Sequence, residues 1–364
     1  MTVTVTQPSI NVREKLTELD KPTGIAGEAM LRAETPQEQF NLINAGRRNL
    51  IINGGMGVAQ RGTSLTVSTA INYIIDRQKV TVYDTGFTNP SGGTTSQIDI
   101  RGTTLGGVPF TNALRLTPNS AWALTYFAQH IEDVSTLSDT HFTVSVWMRV
   151  GSGTLSLTDD ARLTQVFGSG GSTAVNTAVD RRLDVTTEWQ RFSWTLYAPS
   201  VSGKTIGSGS YSQVNVLNSV DLSSFSSTLD ITGFQVELGK VATPFEHRSY
   251  GEELALCQRY YERWTLDGGF VGTAGYNEST SNARGMFPFT VTKRTAPTMA
   301  TSGAHFHATS TGTTGSSVDI SWLFTTIHAS RWSVTNSNST LVDGGASILG
   351  VSGNGRWIEA DAEL

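Results

Sequence analysis

Hydrophobic and polar residues alternate along short segments in the middle of the chain. In residues 141–150 apolar side chains occupy every second position from Phe142 to Val150, and Trp147 falls on the polar side. Residues 189–197 repeat the pattern with Phe192, Trp194 and Leu196 on one side. This period of two is typical of strands with one buried face. Further strands are predicted at 80–83, 113–116, 124–131, 163–167, 214–217 and 231–238. Glycine-rich turns separate them, which favours a jelly-roll β-sandwich over residues 49–249.

Helical spacing occurs in two other places. Residues 1–48 contain two short candidate helices, and the second has Pro36 in its first turn. Such short helices have too little apolar surface to form a core, so this segment needs a larger assembly to order it. Residues 250–264 place Leu254, Cys257 and Tyr261 at three- and four-residue intervals, which predicts one or two helical turns with Cys257 on the buried side.

The remainder of the chain is again rich in Gly, Ser and Thr. Strands are predicted at 284–291, 305–307, 318–324, 331–334 and 355–360. The expected fold class is therefore mainly β. It comprises a short helical or extended segment at 1–48, the sandwich at 49–249, and a helix followed by a small β domain at 250–364.

Composition excludes several classes of protein. Of the 364 residues only 16% are charged, against a usual share of about 25%. The net charge is −5 and no block of Lys or Arg is present, so binding to nucleic acid is not expected. The single cysteine cannot form an internal disulfide. No signal peptide, membrane-inserting segment or cofactor motif is apparent.

Several motifs resemble a family of bacteriophage and prophage tail-fibre proteins with a jelly roll related to carbohydrate-binding modules. They are NLIINGGMGVAQRGTS (49–64), FTVSVWMRV (142–150), TTEWQRFSWTL (186–196), and, most specifically, FQVELGKVATPFEHRSYGEELALCQRYYERW (234–264). The N-terminal stretch is similar to the opening segment of virion fibres from marine phages.

This resemblance implies a homotrimeric fibre on the tail or another external appendage of the virion, assembled in the host cytoplasm. Residues 1–48 would attach it to other virion proteins. Its distal part would bind a host surface receptor, in the first place a polysaccharide or lipopolysaccharide. An architectural role without receptor binding, as an adaptor, baseplate part or capsid fibre, stays open.

A polysaccharide depolymerase would need two carboxyl groups about 5–9.5 Å apart. Candidate pairs are Glu132 with Asp133, Asp159 with Asp160, and Asp180 with Asp184. Neighbouring carboxylates on a strand face opposite ways, and aspartates are common in turns. No nucleophile elbow is visible either. The chain is therefore expected not to be an enzyme.

Five aromatic residues are candidates for glycan or receptor binding, because aromatic rings stack on the apolar faces of sugars. They are Trp147, Tyr276, Trp322, Trp332 and Trp357. Packing in the core or at a trimer interface is the alternative for each of them. Four of the five follow residue 264, so residues 265–364 are predicted to face the receptor.

The spacing of His305 and His307 is the one in the sequence that suggests a metal-binding site. Both would point the same way from a strand, and three copies in a trimer would supply six nitrogen ligands. Ordinary surface histidines are the alternative. No cluster of carboxylates indicates a calcium site.

Overall fold

The computed structural model describes residues 48–157, 161–179, 182–266, 269–302, 306–310, 313–336, 341–351 and 355–364. This part of the chain is mainly β with one α-helix, as the sequence predicts. Within it, no helix has the length and apolar character needed to cross a membrane. Apart from residue 48, the predicted virion-attachment segment at residues 1–48 lies outside the described residues.

Two larger antiparallel sheets and one short strand pair form the first part of the molecule. Their strands are β1 (Ser64–Thr66), β2 (Ile71–Asn72), β3 (Lys79–Tyr83), β4 (Thr94–Leu105), β5 (Val108–Thr117), β6 (Leu124–Glu132), β7 (Thr140–Val150), β8 (Leu155–Leu157), β9 (Ala161–Val166), β10 (Val175–Val179), β11 (Leu183–Val185), β12 (Gln190–Ala198), β13 (Tyr211–Val220) and β14 (Leu229–Leu238). Among described residues, sheet I has the order β1-β4-β5-β14-β7-β12 and sheet II the order β10-β9-β13-β6-β3-β2. A short pair, β8 and β11, lies apart from them.

The core of this sandwich lies between sheets I and II. On β7 the apolar residues of the alternating pattern, among them Phe142, Val144 and Val146, are fully buried in it. Burying one such side chain stabilises the fold by roughly 1.5–3 kcal/mol. The period-two pattern therefore predicts both the strand and its buried face correctly.

The opposite, outer face of sheet I is partly covered by the chain itself. Residues 239–247 cross it, and the buried carboxylate of Glu237 accepts hydrogen bonds from the backbone N–H and hydroxyl of Thr243. Gln235 accepts another from the backbone of Glu246. As a result the outer side of β14 is buried around Gln235 and Glu237, although these residues are polar.

Helix α1 (Tyr250–Gln258) follows the sandwich. Its N-cap residue Ser249 accepts a hydrogen bond from the backbone of Glu252, and acidic residues occupy the first turn, where the helix dipole favours them. Cys257 is buried, as the spacing predicts. The helix ends before residue 264, however, because Tyr261–Leu266 form a strand that pairs with Arg356–Asp361.

The C-terminal strands form a small sheet and a closed barrel. They are β15 (Tyr261–Leu266), β16 (Gly269–Asn277), β17 (Asn282–Pro288), β18 (Thr298–Thr301), β19 (Phe306–Ser310), β20 (Thr313–Leu323), β21 (Ala329–Asn336), β22 (Ala346–Val351) and β23 (Arg356–Asp361). In the described part of the chain the sheet has the order β15-β23-β18, and the barrel has the order β16-β17-β21-β20-β19-β22. A separate core that includes Trp332 and Val334 fills this region.

A cluster of charged residues joins the sandwich to the C-terminal strands. We call it the junction: Arg61, Asp76, Arg77, Asp361 and Glu363. Arg77 donates a hydrogen bond to the Glu363 carboxylate, and both side chains are nearly inaccessible, at 2% and 7% exposure. Arg61 lies 3.2 Å from Asp361 and 3.7 Å from Glu363. The fully buried Asp76 is 3.6 Å from Arg61.

Aromatic rings and burial shield most of the junction from solvent, although the Asp361 side chain is 45% exposed. The guanidinium of Arg61 stacks on Tyr261 at 3.3 Å, and that of Arg77 stacks on Tyr260 at 3.5 Å. Burial raises the pKa of Asp76 to about 6. Burial, together with the nearby charge of Lys79, lowers the pKa of His130, whose backbone accepts from Arg77, to about 3. The charges of the junction other than Asp361 are thus largely buried and lie next to opposite charges.

Candidate functional site

A row of polar side chains crosses the uncovered part of the outer face of sheet I. The strand register places Ser64 opposite Ser96, Ser96 opposite Arg115, Arg115 opposite Asp230, and Asp230 opposite Arg149. Directly opposed residues on neighbouring strands share a face, so these side chains line up across β1, β4, β5, β14 and β7. We call this the arginine row.

Asp230 holds the two arginines of the row. Its carboxylate accepts from Nε of Arg115 at 2.7 Å, from Nη2 of Arg115 at 2.9 Å and from Nε of Arg149 at 3.0 Å. Asp230 is 1% exposed, whereas the arginines are 34% and 33% exposed. The hydrogen bonds that Arg115 donates to Asp230 raise the pKa of Arg115, which therefore stays charged. The carboxylate lies beneath the cations.

Trp189 lies at the end of the row, immediately before β12. The Arg149 guanidinium lies over its ring, 4.8 Å from the centroid. The tryptophan is half-buried and also packs against the apolar cluster that contains Phe110. A stacked guanidinium and a tryptophan together give a rigid surface that is apolar on one side and offers N–H donors at its edge.

A second row, made of threonines, runs beside the first. Thr66 lies opposite Thr94, and Thr94 lies opposite Thr117. These residues are exposed or half-buried. Each hydroxyl can donate one hydrogen bond and accept two. The open part of the face therefore combines neutral hydroxyl groups, two cations and one tryptophan.

Trp147, the predicted platform on the sandwich, lies two residues before Arg149 on the same strand. It is half-buried and packs against a cluster that contains Phe110 and Phe245. Glycines approach it so closely that an added Cβ at Gly106 or Gly233 would lie 3.1 or 2.8 Å from its ring. The hairpin between β4 and β5 therefore packs over Trp147, so its ring is not an open platform.

The other four predicted aromatics lie in the C-terminal region. Trp332 is completely buried in the barrel, a core position. Trp322 packs edge-on against Phe287 at 5.8 Å. Trp357 is half-buried beneath the guanidinium of Arg263. Tyr276 is 49% exposed, and its hydroxyl accepts from Arg331.

These four residues differ in how accessible their rings are. The two strands that carry Tyr276 and Trp332 are each paired with β17, but Tyr276 is open to solvent while Trp332 is enclosed. Tyr276 is therefore the predicted C-terminal aromatic with the most accessible ring.

The predicted carboxylate pairs have structural partners where they are described. Glu132 accepts from Arg259, and Asp133 caps a short 3₁₀ turn by accepting from Ser135. Asp184 accepts from Ser156. Asp159, Asp160 and Asp180 lie outside the described residues.

The described residues show neither a metal-binding cluster nor a reactive thiol. These contain no group of three or more His, Cys, Asp and Glu side chains that could hold a metal. His305 lies outside them, and His307 is described only as a backbone position on β19. Burial raises the pKa of the Cys257 thiol well above its ordinary value, which keeps it protonated and unreactive.

Sequence comparison does not add to this picture. No protein-family model matches the chain, and no curated protein matches it.

Several solved structures resemble the chain distantly. The xylan-binding domain CBM22-2 from Paenibacillus barcinonensis Xyn10C is 10% identical, with a TM-score of 0.31 over 48% of this chain and 99% of that one. A family 4 carbohydrate-binding module is 11% identical, with a TM-score of 0.29 over 51% and 98%. Tailspike protein 4 of bacteriophage CBA120 is 14% identical, with a TM-score of 0.31 over 53% and 22%.

Proposed function

We propose that this chain is a non-enzymatic fibre protein of a virion that binds a glycan through the outer face of sheet I. The observation that carries the binding part is the stack of Arg149 on Trp189 at one end of the arginine row. Protein sites for sugars pair an aromatic surface with hydrogen-bonding groups that match the sugar hydroxyls. The arginine row and the threonine row together supply both.

The virion part of the proposal rests on the sequence resemblance to tail-fibre proteins. On that basis the chain acts as a homotrimer, attaches to other virion proteins through residues 1–48, and contacts a host polysaccharide or lipopolysaccharide. The paucity of charge and the mainly β fold are consistent with such a fibre.

Glycan-array binding of the purified protein tests the proposal. We expect the wild type to bind a defined set of glycans and Trp189→Ala to bind them roughly tenfold more weakly, as for a central aromatic contact. Tyr250→Ala is the matched control, because Tyr250 is an exposed aromatic residue on α1, a different element. Thermal unfolding of both variants checks that they fold.

Two results would overturn the proposal. Absence of glycan binding by the wild type would favour the purely architectural role. Equal binding by Trp189→Ala and Tyr250→Ala would place the site elsewhere, with exposed Tyr276 the first alternative. Release of reducing ends from a bound polysaccharide would show that the chain is an enzyme.

Point substitutions are preferable to deletion of residues 265–364. That deletion would remove Asp361 and Glu363, which pair with Arg61 and Arg77 in the junction. Loss of binding by the truncated protein would then report damage to the sandwich as readily as loss of a receptor site.

A further inference from the structure

We infer that the arginine row selects glycans that carry an anionic group, a carboxylate, sulfate or phosphate on the sugar. This inference rests on the proposed function and names the ligand class of the same face. It follows from the charge, the hydrogen-bond geometry and the burial of the three residues Arg115, Asp230 and Arg149.

The charge of the row is positive. Arg115 and Arg149 share Asp230, so the three residues together carry one excess positive charge. The single negative member is 1% exposed and lies beneath the cations, which are about a third exposed. An approaching anion therefore meets the guanidinium groups before it meets the carboxylate.

The geometry of the arginines leaves N–H groups for a ligand. Asp230 engages Nε and Nη2 of Arg115 but Nε alone of Arg149. A guanidinium has five N–H donors, so Arg149 keeps both terminal nitrogens free of this carboxylate. Paired donors on a planar guanidinium match the two oxygens of a carboxylate, sulfate or phosphate.

The row is also preorganised. Asp230 fixes one edge of each guanidinium, and Trp189 supports the plane of Arg149. Because the arginine side chains are already ordered, binding costs less of their conformational freedom. A neutral glycan gains nothing from the excess charge, whereas an anionic one does.

The net charge of the whole protein makes the row selective. At −5 the protein repels polyanions in general, so attraction must come from a local positive site. An anionic glycan is therefore expected to bind at the arginine row and not over the whole surface.

Matched pairs of ligands that differ only in charge test the inference. Isothermal titration would compare oligogalacturonate with its methyl ester, and sulfated with unsulfated dextran oligosaccharides. We expect the anionic member of at least one pair to bind the wild type at least roughly tenfold more tightly, the size of one charge-assisted contact. The preference should weaken as NaCl is raised.

Variants locate the preference. Arg149→Gln and Arg115→Gln should each reduce it by roughly tenfold, and Arg149→Lys should restore part of it. Arg101→Gln is the matched control: it removes the same charge from β4 of the same sheet, but Arg101 is 75% exposed and pairs with Asp99 instead of Asp230. It should leave the preference unchanged.

The outcomes separate this inference from the proposed function. Equal binding of the charged and neutral members of every pair overturns the inference while glycan binding stands. An anionic preference that Arg149→Gln and Arg101→Gln reduce equally also overturns it, because the preference would then come from overall charge. If no glycan binds on the array, the proposed function fails and the inference fails with it.

Discussion

The arginine row and the junction use the same parts in different ways. Each has two arginines that contact a buried carboxylate: Asp230 in the row and Glu363 in the junction. In the row the arginines are about a third exposed. In the junction Arg77 is 2% exposed and is enclosed further by a tyrosine.

The difference shows what burial does to one chemical motif. Removing one partner of a buried ion pair leaves an uncompensated charge, whereas a half-exposed partner can be solvated again. The junction is therefore a structural contact. The arginine row, in contrast, keeps N–H groups that can donate hydrogen bonds to a ligand. Three experiments test this difference between the junction and the arginine row.

The largest effect is expected from Arg77→Ala. It leaves Glu363 nearly buried without its closest cation and removes the donor to the His130 carbonyl. We expect the free energy of unfolding in urea to fall by about 3–5 kcal/mol. Arg101→Ala, at an exposed site, should change it by less than about 0.5 kcal/mol. A similar, small loss in both variants would mean that the junction is not the tighter of the two clusters.

A smaller effect is expected on the way the free energy of unfolding changes with pH. Burial lowers the pKa of His130 from 6.5 to about 3, so between these values the unfolded chain binds a proton that the folded chain does not. Stability from this group is present above pH 6.5 and is lost as pH falls towards 3. Asp76, with its pKa raised from 3.8 to about 6, acts in the opposite direction within that window.

Comparison with His130→Asn isolates the histidine, because Asp76 is common to both proteins. Between about pH 6 and pH 4 the wild type should lose roughly 2 kcal/mol more than the variant, measured by urea unfolding at each pH. Parallel pH profiles would show that the His130 side chain is solvated and that the junction is open to water.

The smallest effect is expected from Asp230→Asn. The arginines it releases are about a third exposed and can be hydrated, so we expect a loss of about 1–2 kcal/mol in unfolding free energy. A loss as large as that of Arg77→Ala would remove the distinction between the clusters and make the row a structural element as well.

The strands with strict alternation could be predicted from the sequence. On β7 and β12 a single buried face imposes the period of two, which local sequence alone reveals. Residues 261–266 could not be predicted in this way, because Tyr261 and Trp264 also have helical spacing. Pairing with β23, some hundred residues later, decides their conformation.

The candidate site could be predicted only in part. The alternating pattern of β7 places Trp147 on the polar side of the strand, and that placement is right. It could not show that Gly106 covers the ring while Arg149, two positions along, stays open. Arg115 and Asp230 are separated by 115 residues, so their pairing depends on strand order and has no local signal.

The junction also has a consequence for how the chain folds. Arg77 and Glu363 are 286 residues apart, and Tyr73 contacts the backbone of Leu364 across 291 residues. Contacts between such distant residues close large loops and form late, after local strand pairs. Until then Arg77 lacks its carboxylate partner and Arg61 is left with Asp76 alone, on the surface that β23 and the residues after it will cover. During synthesis this surface stays incomplete from the time the sandwich strands end, at Leu238, until residue 363 is added. Pairing of β23 is therefore a folding step that is open to misassembly.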